Sequence, residues 1–359
     1  MAPRLRARAL PVWIAVAGLT LASASFATQG AGASPKAAFK QLGFNSYVQD
    51  LCQSDATWAS DASGQFSTLK SLGGNSIALA FPLYMSSLTA SSVAAKRTCG
   101  TSFETPSPAR LAVAIRAAHA LHLKVFLRPM IDETVLKADG GWRGVIRPKN
   151  VKAWFHSYLG ALAPYLLLAQ QQRVEYFAIS TELDSMSKKT QWPWLIATAK
   201  RIYHGSLIFT VTWRPNEGIQ PGTSPGMDTY QAVQLPPSAT PDQLLAAWNT
   251  AITTSNKVPF ALSSASIDEL AINAQDGAYH IPWAWGLPPN QYPFDQDIQA
   301  NWYSMACSFF KTHNMRGLYF WGIWYSMGAN AVLQTPSPGL AQEIQPASAA
   351  VIKHCYTGK

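Results

Sequence analysis

Along this chain, short apolar runs alternate with longer segments whose apolar residues recur every three or four positions. Runs of four to six apolar residues predict buried strands, and the three-to-four spacing predicts amphipathic helices. Eight candidate strands can be placed: Gly43–Tyr47, Ser76–Phe81, Lys124–Arg128, Tyr176–Ser180, Leu207–Thr212, Thr229–Gln234, Phe260–Ser263 and Gly317–Trp321. Between them, Pro108–His122 puts Leu111, Ile115, Ala118 and Leu121 on one face. Val151–Gln171 does the same with Trp154, Tyr158, Leu162 and Tyr165, and Trp192–His204 and Asp242–Thr254 are similar. Repeated βα units of this kind suit either a (β/α)8 barrel or a doubly wound sheet. The first strand is not followed by a Gly-rich phosphate turn. The expected fold class is therefore α/β, a single-domain (β/α)8 TIM barrel.

The chain begins differently. Arg4, Arg6 and Arg8 precede an almost wholly apolar Ala9–Ala22, and small residues follow through Ala27. This is the layout of a cleaved export signal, and the apolar run is shorter than the ~20 residues a membrane-spanning helix needs. Residues 1–33 are thus expected to be a signal peptide and disordered start. Residues 38–359 are expected to be the barrel with a C-terminal tail, secreted, without stable membrane insertion, and monomeric. The formal charge is +9, and without the three signal arginines about +6. The basic residues do not cluster, which argues against a nucleic-acid partner. Cys52, Cys99, Cys307 and Cys355 are an even number in an exported chain, so two disulfides are expected. The preferred pairing of the three possible is Cys52–Cys99 with Cys307–Cys355. Their spacing is unlike a zinc site, and neither metal nor cofactor is expected.

In a barrel, the residue just after each strand faces the cleft. The third strand leads into Arg128-Pro129-Met130-Ile131-Asp132-Glu133 and then the loop Gly140-Gly141-Trp142-Arg143-Gly144. The fourth ends in Ser180-Thr181-Glu182, the fifth in Thr212-Trp213-Arg214, and the eighth in Trp321-Gly322-Ile323-Trp324. Aromatic faces pack on the C–H patches of sugar rings, and planar polar groups bind hydroxyls. Arg128, Asp132, Trp142, Trp213, Trp321 and Trp324 are therefore candidate carbohydrate contacts. Arg128 has a second reading, as a structural ion-pair partner of Asp132 or Glu182. Glu182 is the candidate catalytic residue, because a carboxylate at the end of a buried strand is costly without a partner or a task.

Several segments together resemble family 113 glycoside hydrolases: Gly74-Asn75-Ser76-Ile77-Ala78-Leu79, the Gly140–Gly144 loop, Trp154-Phe155-His156-Ser157-Tyr158, Phe177–Leu183, and Trp194-Leu195-Ile196 with Arg201–Gly205. The resemblance runs from about residue 40 to 330. It implies a β-mannanase-like retaining enzyme on a (β/α)8 barrel, acting on β-linked polysaccharide or oligosaccharide, with Glu182 as general acid/base. Asn75, in the first of these segments, joins the candidate substrate contacts. The family's nucleophile is a glutamate after the seventh strand. The matching stretch here, Val258-Pro259-Phe260-Ala261-Leu262-Ser263-Ser264, puts Ser264 at that place. A serine supplies no negative charge to an oxocarbenium-like transition state. Three outcomes stay open. Another carboxylate (Asp132, Glu133, Glu217, Asp268 or Glu269) reaches the site, with Glu269 as nucleophile if the register is displaced. Alternatively the enzyme inverts, or the cleft binds glycans without cleaving them.

Overall fold

Eight parallel strands follow one another around a closed barrel: β1 (Gln41–Tyr47), β2 (Ser76–Leu83), β3 (Lys124–Ile131), β4 (Tyr176–Thr181), β5 (Ser206–Val211), β6 (Ser224–Asp228), β7 (Ser266–Leu270) and β8 (Gly317–Trp324), with β8 pairing back to β1. The computed structural model describes residues 40–97, 104–212, 218–255, 258–284 and 287–359. The expected signal peptide and the first residues of the expected domain lie outside that range. The helices are α1 (Asp55–Ser71), α2 (Pro108–Ala120), a short α3 (Thr134–Ala138), α4 (Val151–Gln171), α5 (Trp192–Ile202), α6 (Pro241–Asn249), α7 (Gln296–Thr312) and α8 (Pro346–Thr357). No helix among the described residues is long and apolar enough to cross a membrane.

Local chemistry explains where the helices begin. Ser54, Ser107 and Asn150 accept from backbone amides in the first turns of α1, α2 and α4. Proline opens α2, α6 and α8, where a missing N–H costs nothing. The stripe read on α4 is the buried one: Trp154, Tyr158, Leu162 and Tyr165 all lie in the shell between strands and helices. Burying each such side chain stabilises the fold by roughly 1.5–3 kcal/mol. A second, smaller cluster fills the barrel itself, with Ala78, Phe126, Ala178, Ile208 and Tyr319 in contact.

Two strands are not where the apolar pattern puts them. The sixth is Ser224–Asp228 rather than Thr229–Gln234, and the seventh is Ser266–Leu270 rather than Phe260–Ser263. The expected seventh strand is instead a loop ending in the single turn Leu262–Ser264. The true one carries Asp268 and Glu269, so its composition hides it. Asp268 points into the barrel, bonded by Thr210 Oγ1 (2.6 Å) and Ser266 Oγ (2.5 Å). Gly226 on β6 leaves it room, for a Cβ there would collide with the Asp268 carboxylate.

The expected tail is α8, which covers the joint between the first and last strands. The Tyr356 hydroxyl is shared between the carbonyls of Gly43 (2.7 Å) and Leu318 (2.8 Å). The Cys307–Cys355 disulfide, with Cα atoms 5.9 Å apart, ties α8 to α7. Cys52 is also disulfide-bonded; Cys99 lies outside the described residues.

Candidate active site

At the C-terminal ends of the strands opens a cavity of about 810 Å³, lined among others by Tyr47, Asp132, Trp142, Arg143, Glu182, Tyr230, Glu269, Trp283, Trp321 and Trp324. Its walls are aromatic and its floor is charged. Tyr47 packs edge-on against Trp321 (5.6 Å between centroids) and Trp324 (5.4 Å). Trp142 folds over Gly144, where a Cβ would strike the indole, so the glycine fixes how the tryptophan stands in the cleft.

Glu182 directly follows β4. Its backbone lies in the left-handed region (φ 52°), a conformation that costs a non-glycine residue about 1–3 kcal/mol and collects at functional sites. Its carboxylate accepts from Arg143 Nη1. Arg143 is held by its own Nε–H, which donates to the Ile131 carbonyl (2.7 Å), and its Nη2 lies 3.4 Å from Glu133 Oε1. Burial pushes the Glu182 carboxyl up to about 7. Arg143 opposes that rise, while Glu269 and Glu133 add to it. A carboxyl group in that range can hold a proton and give it up near neutral pH.

The second carboxylate is Glu269, on the fourth residue of β7, and it lines the same cavity. Its support is almost wholly inside the barrel. The Tyr230 hydroxyl donates to Oε1, and Arg128 Nη1 donates to Oε2 at 3.0 Å. Arg128, fully buried, also donates to Asp228 Oδ2 (2.6 Å) and Asn45 Oδ1 (2.8 Å). Burial raises Asp228 well above the usual carboxylate range although Arg128 opposes it.

These positions correct several expectations. Ser264 stands two residues before β7, outside the cavity, with its Oγ donating to the Ala261 carbonyl (2.7 Å). The misplacement follows from the displaced seventh strand. Asn75 is at the N-terminal end of β2, across the barrel from the cleft. Its side chain accepts from Leu42 N (2.8 Å) and donates to Lys40 O (3.0 Å), so it joins β1 to β2 and does not line the cavity. Arg128 lies beneath the cavity and is an ion-pair residue, with Asp228 and Glu269 as partners rather than Asp132 or Glu182. Asp132, Trp142, Trp321 and Trp324 do line the cavity. Trp213 and Glu217 lie outside the described residues. Tyr47, Tyr230 and Trp283 also line the cavity, although none is a candidate from the sequence. Among the described residues no cluster of three or more His, Cys, Asp or Glu is placed to hold a metal ion.

The barrel superposes on those of several solved structures. A family 113 β-mannanase from Alicyclobacillus acidocaldarius, solved in complex with a ligand, superposes with a TM-score of 0.67 at 19% identity, covering 89% of this chain and 98% of that one. Another family 113 β-1,4-mannanase gives a TM-score of 0.67 at 16% identity over 89% of this chain and all of that one. A hyperthermostable endo-1,4-β-D-mannanase from Thermotoga petrophila gives 0.54 at 12% identity, covering 89% of this chain and 100% of that one. At these identities the likeness shows the fold. No curated protein matches the chain. The model of Glycoside Hydrolase Family 113 matches residues 50–331, most of the sequence. On that match, with the barrel that carries it, the chain belongs to glycoside hydrolase family 113.

Proposed function

We propose that the protein is an exported hydrolase of β-mannan or β-manno-oligosaccharides that works with retention of anomeric configuration. The observation that carries this reading is the pair Glu182 and Glu269 on the wall of one cavity. Glu182 is the acid/base and Glu269 the nucleophile. In the first step Glu269 attacks the anomeric carbon and the bond to the leaving sugar breaks as Glu182 gives its proton to the departing oxygen. In the second, Glu182 takes a proton from water, the water oxygen bonds to the anomeric carbon, and Glu269 leaves as a carboxylate. Once Glu269 is esterified its charge no longer raises the Glu182 carboxyl, which favours the base form when a base is needed. The aromatic walls and Asp132 provide sugar contacts. Mannan is favoured over other β-glycans because the family 113 structures on which this barrel superposes are β-mannanases.

The presence of Glu269 on the same cavity wall as Glu182 supports turnover over binding alone. The test is to incubate the protein with β-1,4-manno-oligosaccharides and follow the new reducing end by proton NMR. The β-anomer should form first, and Glu182→Gln and Glu269→Gln should each abolish release. Initial α-anomer would overturn retention. Binding by calorimetry without any release would overturn hydrolysis.

A further inference from the structure

The acid/base candidate is not paired one-to-one with Arg143. From the cleft outward runs a ladder of alternating charge: the Glu182 carboxylate on Arg143 Nη1, Arg143 Nη2 at 3.4 Å from Glu133 Oε1, and Glu133 Oε2 at 3.1 Å from Lys137 Nζ. Side-chain exposure rises along it, from 6% at Glu182 through 12% at Arg143 and 19% at Glu133 to 66% at Lys137. Glu133 and Lys137 stand one helical turn apart, at the start of α3 and within it. We propose that Glu133 is a positioning residue for Glu182: by sharing the Arg143 guanidinium it lets Arg143 grip and aim the acid/base carboxyl without locking it as a carboxylate, and Lys137 sets how much charge Glu133 presents. This rests on the reading of Glu182 as acid/base.

The physical need is plain. A buried acid whose only partner were a fully charged arginine would be held ionised, a poor proton donor. An acid with no partner would swing and would be a poor base in the second step. A guanidinium divided between two carboxylates supplies the aim and weakens the bias. The other charged groups around Glu182 are fixed in both cases. Glu269 and Asp228 face it from β7 and β6, Tyr230 follows β6, Tyr47 comes from β1, and Asp132 and Arg128 from β3. Only Glu133 and Lys137 belong to the ladder on its solvent side.

The experiment is the pH profile of kcat/KM on a manno-oligosaccharide for Glu133→Gln and for Lys137→Met. Releasing Arg143 to Glu182 alone should move the alkaline limb of Glu133→Gln down by about one pH unit, so roughly tenfold activity is lost above the limb. Removing the outer lysine should move the limb the other way by a few tenths of a unit. The opposite signs separate a tuning role from damage to the fold. The same shifts are read without turnover from the side-chain carboxyl carbon of Glu182 in 13C-glutamate-labelled protein, assigned by its loss in Glu182→Gln. Profiles and titrations that superpose on the wild type overturn the inference, as do shifts of the same sign in both variants. If Glu133→Gln does not fold, the exposed Lys137→Met decides alone. Full activity in Glu182→Gln would instead overturn the assignment of the acid/base, leaving the carbon titration to judge the ladder.

Discussion

The Glu269 side of the cleft is built from strands, and the Glu182 side from a loop. Glu269 is gripped by Arg128, which is sealed inside the barrel and pinned by Asn45 from β1 and Asp228 from β6. Glu182 is gripped by Arg143, which arrives on the turn Arg143–Val145 and continues through Glu133 to solvent. A group that must attack one atom from one direction is best fixed by a scaffold that cannot move. A group that must give a proton and later take one is best held where its charge can be adjusted. The two carboxylates are equally buried, so the difference lies in the arginine behind each: Arg128 is sealed in the barrel, whereas Arg143 leads through Glu133 toward solvent.

This contrast can be broken experimentally, beginning with the largest effect. Glu269→Ala should lower kcat by more than about 10⁴-fold, and azide should restore turnover as a glycosyl azide of α configuration. Glu182→Ala, with an activated aryl mannoside, should yield the β-azide. The same anomer from both variants would mean the two roles are assigned wrongly. Next, Arg128→Met strands two buried carboxylates and should destabilise the fold by about 3–5 kcal/mol in urea unfolding. Arg143→Met, at the cleft edge, should cost on the order of 1 kcal/mol. Equal losses would erase the distinction between strand and loop support. Smallest, Tyr230→Phe removes one hydrogen bond to Glu269 and should lower kcat/KM roughly tenfold while leaving the alkaline limb in place. That limb should lie near pH 7, since Glu182 is protonated and competent as an acid below about 7 and loses the proton above it. A limb that moves with Tyr230→Phe would show that Glu269's support also tunes Glu182.

Much of the barrel is legible in the chain because most strands are buried on both faces and read as unbroken apolar runs. β3, β4 and β8 begin where their runs begin, at Lys124, Tyr176 and Gly317. α4 spans the residues its stripe predicts. β6 and β7 were hidden for the same reason that the site exists. Pro225 and Gly226 in one, and Asp268 and Glu269 in the other, replace apolar residues where the barrel interior is polar. The apolar Phe260-Ala261-Leu262 places the expected seventh strand six residues early, so that Ser264 rather than Glu269 falls at its tip. Glu182 is readable because an apolar run through Ile179 leads into it within three residues. The braces on each carboxylate were not, because Arg128, Arg143 and Tyr230 meet their partners only through pairing across the sheet and the path of a loop.

The clasp formed by α8 has a consequence for the order of events in the cell. Synthesis proceeds from the N-terminus, yet β1 must wait for β8, and the hydroxyl that bridges their carbonyls sits on Tyr356. Any sheet of the earlier strands formed before that point would have two unpaired edges, a template for wrong partners. A ribosome-stalled series should therefore show protease resistance appearing late and abruptly, only after residue 356 has emerged, rather than by one βα unit at a time.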